Sequence, residues 1–466
     1  MAVSFVLNGQ KISVGPLDHH TTLLAWLRAR GLTGSKEGCA EGECGACAVA
    51  LLRPDAGGGA RLDPVNGCLL PVVALAGQSV VTVEGIAEPS GVLHPVQRLM
   101  AEAGGSQCGY CTPGFVVSLA CEYYRPGRAG YDPEAISGNL CRCTGYRPIV
   151  DAARALPPVP AGDPRARQLA AAPPALAAVV EPRFARPTDL ASLWAACARL
   201  PDAAFMAGGT DQMVYVNQRD QRFPALIALE AVAELRGFET GPGQISIGAA
   251  LTLAEVEDRL ARAGVAAETG MLHQLFPLFS SRLIRNRATL GGNLATASPI
   301  GDAPPALLAL DAEVTLVGAA GARRVALADF FVDYRRTVLA RGEVIAAVHL
   351  PRPLPAVQRF YKVSKRVLDD ISTVAGAFAL DLTPEGRVAR LRIAFGGVAP
   401  TPLRARAAEA RATGLPWTRE TVTALLPEID AAVRPIDDHR GSAAYRRRIA
   451  GRLLEKFWVE SAGARG

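Results

Sequence analysis

Nine of the ten cysteines lie between Cys39 and Cys143 of a 466-residue chain, and only Cys197 lies beyond them. The N-terminus, Met-Ala-Val-Ser-Phe-Val-Leu-Asn-Gly-Gln, lacks the basic start and the apolar stretch of a signal peptide. No apolar run is long enough to span a bilayer. A cytoplasmic protein is therefore expected, and in that compartment disulfides are rare. The cysteines are accordingly expected to bind metal, and eight of them fall into two groups of four.

Cys39, Cys44, Cys47 and Cys68 are separated by four, two and twenty residues. Cys-x4-Cys-x2-Cys with a distant fourth cysteine is the plant-type 2Fe–2S spacing. Three thiolates in one tight loop wrap most of a cluster, and a fourth arrives from elsewhere. In the loop Gly38-Cys39-Ala40-Glu41-Gly42-Glu43-Cys44-Gly45-Ala46-Cys47, glycines let the backbone come close and turn its N–H groups toward sulfur. Those hydrogen bonds help to set a cluster's potential. Zinc competes poorly, because zinc sites favour two separated pairs over three cysteines in nine residues.

The second group is Cys108-Gly109-Tyr110-Cys111 and, after 29 residues, Cys141-Arg142-Cys143. Each pair precedes an expected helix, one at Thr112-Pro113-Gly114-Phe115 and one near Pro148. Helix N-termini favour an anionic cluster through the dipole and the free N–H groups. By spacing alone zinc stays open here. The first group favours a second cluster, since two clusters in one small domain make an electron wire. Cys121 and Cys197 sit in apolar helical patterns and read as core residues. His19, His20 and His94 read as surface or structural residues.

Hydrophobic residues make up 49% and charged residues 20% of the chain, which suits several domains with large cores. The net charge of +6 is spread without a dense basic block, which argues against nucleic-acid binding. Asn8-Gly9 between alternating apolar arms predicts a hairpin over Phe5 to Val14. Thr22 to Arg30 predicts a short helix ended by Gly31. Asp132-Pro133 reads, like Thr112-Pro113, as an N-cap followed by proline. The expected organisation is a ferredoxin-like 2Fe–2S domain over 1–88, a helical 2Fe–2S domain over 89–156, and a surface linker over 157–180. A nucleotide-binding domain is expected over 181–354 and a mixed α+β domain over 355–466.

No Gly-x-Gly-x-x-Gly follows a strand, so a Rossmann fold is not indicated. A strand is expected at 203–206, and after it comes Ala207-Gly208-Gly209-Thr210-Asp211, a glycine turn whose N–H groups suit a pyrophosphate. The stretch from Arg287 to Asp302 combines close-approach glycines with small hydroxyl donors. Asp302 is expected to cap a helix there, at Ala303-Pro304-Pro305.

The three cysteine motifs, with Gln107-Cys108-Gly109-Tyr110-Cys111-Thr112-Pro113-Gly114-Phe115 and Asn139-Leu140-Cys141-Arg142-Cys143-Thr144-Gly145-Tyr146 in full, resemble the iron–sulfur domains of molybdenum hydroxylases. Xanthine dehydrogenase and aldehyde oxidase belong to that family. The resemblance extends through the flavin domain, most closely to the small iron–sulfur/FAD chains of bacterial members. It implies an α+β multidomain fold: a β-grasp ferredoxin-like domain, a four-helix-bundle cluster domain, a vanillyl-alcohol-oxidase-like FAD domain and a C-terminal sheet domain.

Carried over residue by residue, the resemblance implies that Cys39, Cys44, Cys47 and Cys68 bind one cluster, and Cys108, Cys111, Cys141 and Cys143 the other. Residues 207–211 would hold the FAD pyrophosphate. Thr289, Gly292 and Asn293 would contact FAD, and Asp302 would bind one of its hydroxyls. Phe279 would lie near the flavin ring, Ile345 and Lys362 would make further flavin contacts, and Tyr334 would approach the NAD side. Gly209 and Asp211 stand where animal enzymes tend to carry Asn and Glu, and the loop from Lys365 to Asp370 is less charged than theirs. Without the resemblance, Phe279 and Tyr334 could equally be core aromatics.

The function so implied is electron transfer from a molybdopterin-binding large subunit, through both clusters and FAD, to NAD during oxidation of hypoxanthine and xanthine to urate. Two small and two large subunits would form a heterotetramer, with no nucleic acid and no membrane. No residue for substrate hydroxylation is evident in this chain. A related hydroxylase of aldehydes or N-heteroaromatics, and a zinc-stabilised scaffold without redox function, remain the alternatives.

Overall fold

The computed structural model describes residues 3–87 and 91–463, so the expected boundary at 88 and 89 lies outside the described residues. The chain forms two compact units, one of 1–232 with 281–288 and one of 233–280 with 289–466.

In the first unit, Asn8 (φ 50°) and Gly9 (φ 84°) both take positive φ, as a two-residue hairpin turn matched to the strand twist requires. The strands Val3–Leu7 and Gln10–Val14 therefore pair antiparallel, with Leu7 opposite Gln10. Five strands follow the order Gln10–Val14, Val3–Leu7, Ser79–Val81, Ala48–Pro54, Ala60–Asn66, and the pair of Val3–Leu7 with Ser79–Val81 is parallel. Thr22 Oγ1 accepts from Ala25 N (3.2 Å) and starts the helix Leu23–Ala29, whose Leu23, Trp26 and Leu27 bury against the sheet. Phe5 and Trp26 meet edge to face at 5.4 Å. Each such buried side chain contributes roughly 1.5–3 kcal/mol of hydrophobic free energy.

Four helical segments follow: Pro95–Glu102, Thr112–Tyr123, the 3-10 turn Pro133–Ile136 and Arg147–Arg154. Two starts differ from expectation. The Thr112–Tyr123 helix is preceded by Cys111 at the cap, and the Thr112 hydroxyl bonds Ser106 Oγ (2.8 Å) instead. Asp132 does cap, accepting from Glu134 N (3.0 Å), but only a single 3-10 turn follows. The expected surface linker is also more ordered than its composition suggests. It holds the helix Pro164–Leu169, and Leu169 packs into the same core as Leu62 and Phe115.

A four-stranded sheet completes this unit in the order Val179–Glu181, Phe184–Arg186, Leu226–Ala228, Ala204–Met206. Its last two strands are parallel, with Met206 opposite Ala228. His19 and His20 are buried, so the surface alternative fails. His19 Nε2 meets Phe223 O (2.9 Å), and Phe223 N donates to His20 Nε2 (3.1 Å).

The second unit has an antiparallel five-stranded sheet in the order Phe238–Thr240, Gln244–Gly248, Val344–Pro351, Glu313–Gly318, Gly321–Ala326. A second sheet runs Val357–Val363, Val374–Leu382, Val388–Gly396, Leu403–Arg404. The helices Arg406–Ala412, Arg419–Ala432 and Ala443–Gly463 accompany it, and Phe378, Phe395 and Phe457 sit in the shared core. Among the described residues, no helix is long and apolar enough to cross a membrane.

Candidate cluster and flavin sites

The eight cysteines interact with one another as two groups of four thiols, and no disulfide joins any of them. In the first group Cys47 Sγ and Cys68 Sγ lie 3.3 Å apart. The N–H groups of Glu41 (3.5 Å) and Cys44 (3.4 Å) point at Cys39 Sγ. Asn66 Nδ2 stands 3.9 Å from Cys47 Sγ. A hydrogen bond from the Cys44 thiol, with those backbone N–H groups, brings Cys39 down to about 5 against its burial. The Cys44 thiol is driven up by the same bond and by burial. Cys47 and Cys68 repeat the pattern, Cys47 held down by the Cys68 thiol and Cys68 held up by Cys47.

The second group is built likewise. Backbone N–H at Tyr110 and the Cys143 thiol lower Cys108, and Cys143 is raised in turn. Burial and Cys141 push Cys111 up to about 12. At Cys141, burial is outweighed by the Thr144 hydroxyl (3.2 Å) and by the N–H groups of Cys143 and Thr144 (both 3.4 Å). In both groups a thiolate-prone sulfur faces one that keeps its proton. Such a set binds a thiophilic centre by exchanging shared protons for metal. Cys121, by contrast, is a lone thiol raised by burial in the core.

Glycines set the approach of the two loops. A Cβ on Gly38 would lie 2.8 Å from Cys44 Sγ. One on Gly45 (φ +63°) would lie 2.1 Å from Gly138 O, and one on Gly114 2.2 Å from Gly45 O. Leu140 N donates to Cys44 O (3.0 Å), and Asn139 Nδ2 to Gly45 O (3.2 Å). One hydrogen bond thus leads from the backbone of Cys44 to the residue preceding Cys141.

The expected pyrophosphate loop, 207–211, lies between the strand Ala204–Met206 and the helix Gln212–Arg219, and Gly209 has φ +76°. A Cβ on Gly208 would stand 1.9 Å from Arg287 O. The following helix reaches the first thiol group: Asn217 Nδ2 donates to Ala40 O (2.9 Å) and Cys68 O (2.8 Å), and Gln218 Nε2 to Cys39 O (2.7 Å). The segment 281–288 also binds both thiol domains. Arg282 pairs with Asp132 (2.7 Å), Arg285 pairs with Glu134, and Asn286 Nδ2 donates to Pro64 O (2.9 Å).

The other expected flavin residues belong to the second unit. Thr289 Oγ1 accepts from Gly292 N (2.9 Å) and starts the helix Leu290–Thr296. Asn293 Oδ1 is buried without a hydrogen-bond partner. Asp302 precedes the helix Ala303–Ala309 but does not cap it with its side chain. Its oxygens are taken by Lys362 Nζ (2.8 Å) and Ser372 Oγ (2.5 Å), a stronger, charge-assisted pairing. Lys362 also donates to Leu278 O (2.8 Å). Phe279 and Ile345 are buried. Tyr334 is 57% exposed on the ribbon Phe331–Asp333 with Arg336–Thr337, so it is no core aromatic.

The donor chemistry fits the expected groups. Each thiol group offers four sulfurs with backbone N–H donors at hand. In the first unit the Gly208 close approach suits a phosphate-binding loop, and in the second the orphaned Asn293 oxygen suits a polar ligand group. Asn66, Asn217 and Gln218 went unread in the sequence, because their partners lie far along the chain and carry no local motif; Arg287 was read only as the first residue of the stretch that runs to Asp302, without its contacts to Gly208 and Glu230.

Four family models match in succession: "2Fe-2S iron-sulfur cluster binding domain" over residues 5–72, "[2Fe-2S] binding domain" over 82–154, "FAD binding domain in molybdopterin dehydrogenase" over 179–353, and "CO dehydrogenase flavoprotein C-terminal domain" over 359–461. Xanthine dehydrogenase of Emericella nidulans is 32% identical over 489 residues, covering 89% of this chain and 35% of the relative. The chain thus spans about a third of the length of the curated relatives it matches. A carbon monoxide dehydrogenase chain from Hydrogenophaga pseudoflava superposes with a TM-score of 0.55 at 30% identity, covering 60% of this chain and 96% of that one. A chain of quinoline 2-oxidoreductase from Pseudomonas putida 86 does so with a TM-score of 0.55 at 26% identity, covering 62% and 99%. With two iron–sulfur domains joined to an FAD-binding domain and its C-terminal companion, the chain belongs to the molybdenum hydroxylase family, as an iron–sulfur/FAD chain.

Proposed function

We propose that this chain is the electron-transfer subunit of a xanthine dehydrogenase. Electrons from a molybdopterin-binding partner pass to the Cys108/Cys111/Cys141/Cys143 cluster, then to the Cys39/Cys44/Cys47/Cys68 cluster, and leave through FAD to NAD. The observation that carries the reading is the convergence of eight thiols in two groups joined by the Leu140 N to Cys44 O hydrogen bond (3.0 Å). Iron–sulfur clusters move single electrons, and a flavin converts between single electrons and a hydride.

The chain's own residues have defined tasks in this reading. The eight cysteines ligate, and the backbone N–H groups of Glu41, Cys44, Cys143 and Thr144 tune the sulfurs. Residues 207–211 hold the pyrophosphate, with Thr289, Gly292, Asn293 and Asp302 completing the FAD set. Phe279, Ile345 and Lys362 serve the flavin environment, and Tyr334 the NAD side. The partner supplies substrate oxidation, in a heterotetramer of two small and two large subunits.

Anaerobic NADH should bleach the flavin of the purified chain and then reduce both clusters. A flavin-loaded chain that stays oxidised under NADH would remove NAD from the scheme. A colourless, iron-free chain holding zinc would remove the clusters. A second substrate reading is favoured by the likeness to quinoline 2-oxidoreductase, namely hydroxylation of another N-heteroaromatic. Product analysis of the co-purified complex with xanthine and quinoline decides between them.

A further inference from the structure

A buried charge cluster lies directly behind the glycine loop. Gly208 and Glu230 each stand two residues beyond paired positions, Met206 and Ala228, on adjacent parallel strands. Arg287 joins them: its Nη1 lies 2.7 Å from Glu230 Oε2, and its Nε donates to Gly208 O at 3.3 Å. Its backbone carbonyl occupies the space that a Gly208 Cβ would need. Arg287 is 6% exposed, and its Nη2 is buried with no hydrogen-bond partner.

Two more guanidinium groups approach the same carboxylate at 3.8 Å, from Arg53 of the first sheet and from Arg186. Burial would raise the Glu230 carboxyl, but Arg287, Arg53 and Arg186 outweigh it and hold it ionised. The two buried guanidinium groups, of Arg287 and Arg186, against one carboxylate leave an excess of positive charge in a desolvated place, which is costly unless an anion lies near. Arg186 spreads its share over three backbone carbonyls, those of Ala74, Ala76 and Ala177. Arg287 has no such outlet for Nη2.

We propose that Arg287, locked by Glu230, is a positioning residue for the dinucleotide pyrophosphate. It fixes the Gly208 peptide so that the loop's N–H groups face the ligand, and it supplies positive charge behind a doubly negative group. The inference rests on the flavin reading of residues 207–211 given above. A buried charge of this kind is screened little by salt, so a variant that removes the charge and one that keeps it separate charge from packing.

The test uses the full chain, stripped of FAD and titrated with FAD, with iron content as the control for folding. Arg287→Met should bind FAD at least tenfold more weakly with iron retained. Arg287→Lys, which keeps the charge, should recover most of the affinity. Arg287→Met binding within tenfold of the unmodified chain, with iron retained, overturns the proposal, and so does Arg287→Lys binding as weakly as Arg287→Met. If Arg287→Met loses iron, Arg287→Lys decides: iron-replete and binding FAD within tenfold of the unmodified chain supports the proposal, while iron-replete and weaker than that overturns it. An unmodified chain that holds iron yet binds no FAD overturns the flavin reading itself, and the proposal with it.

Discussion

Lys362 Nζ and Asp302 Oδ2 lie 2.8 Å apart, and both side chains are almost wholly buried. An ion pair removed from water gains from low dielectric but depends on both partners, since either one alone is an uncompensated buried charge. Lys362→Met is therefore expected to lower the unfolding free energy by about 3 kcal/mol, and Asp302→Asn by a similar amount. The double variant should lose clearly less than the sum of the two. Chemical denaturation of the four species measures the coupling, and simple additivity would show that the pair is not energetically joined.

Gly45 permits the contact between the two thiol loops. A Cβ there would meet Gly138 O at 2.1 Å and Asn139 Nδ2 at 2.5 Å, and its φ of +63° disfavours any other residue. Gly45→Ala should push the loops apart, lower the iron content by about half or more, and alter both cluster signals in electron paramagnetic resonance. Unchanged spectra would show that the loops need no such close contact.

The cysteines should separate cleanly by environment. Cys68 faces Cys47 at 3.3 Å, whereas Cys121 is a lone thiol raised by core burial. Cys68→Ser should cost one cluster, visible as loss of about half the iron, while Cys121→Ser should leave the iron and the visible spectrum intact. Iron loss in Cys121→Ser with the fold retained would call for a different ligand set.

His94 makes the stability of the helical cluster domain depend on pH. Its Nδ1 accepts from Val96 N (3.2 Å), and Nε2 meets Tyr124 OH (3.2 Å), so the neutral ring caps the helix Pro95–Glu102. Burial lowers it to about 4, helped by Arg165 and opposed by Asp163. The folded value lies below the ordinary 6.5, so the unfolded chain binds the proton more readily. The contribution is complete above about pH 6.5 and is lost as pH falls toward 4, by up to about 3 kcal/mol. His94→Asn keeps a capping side chain but does not titrate there. Its melting temperature relative to the unmodified chain should rise on going from pH 7 to pH 4.5, and a difference independent of pH would contradict this.

What could be read beforehand was local. Asn8-Gly9, the Thr22 cap and the spacing of Cys39, Cys44 and Cys47 act within a few residues, so the chain's order carries their meaning. Asp302 shows where such reading fails. Its position before Ala303-Pro304-Pro305 has the form of a cap, yet Lys362, 60 residues on, offers a charge and takes the side chain. His19 and His20 could not be placed as buried, because the peptide they clasp is at Phe223. Arg287 and Glu230 are 57 residues apart; the pairing of Ala204–Met206 with Leu226–Ala228 brings Glu230 level with Gly208, and Arg287 reaches both from the distant segment 281–288.

The first unit is completed by residues 281–288, which are separated from the rest of it by 48 residues belonging to the second. A ribosome that has produced only residues 1–232 has not yet made Arg282 and Arg285, the ion-pair partners of Asp132 and Glu134, nor Asn286, which bonds Pro64 O. The nascent iron–sulfur region therefore waits for synthesis to pass residue 288 before its last supports arrive. Completion of this unit is in that sense ordered by translation: it is finished only after residues 233–280, which belong to the other unit, have been made.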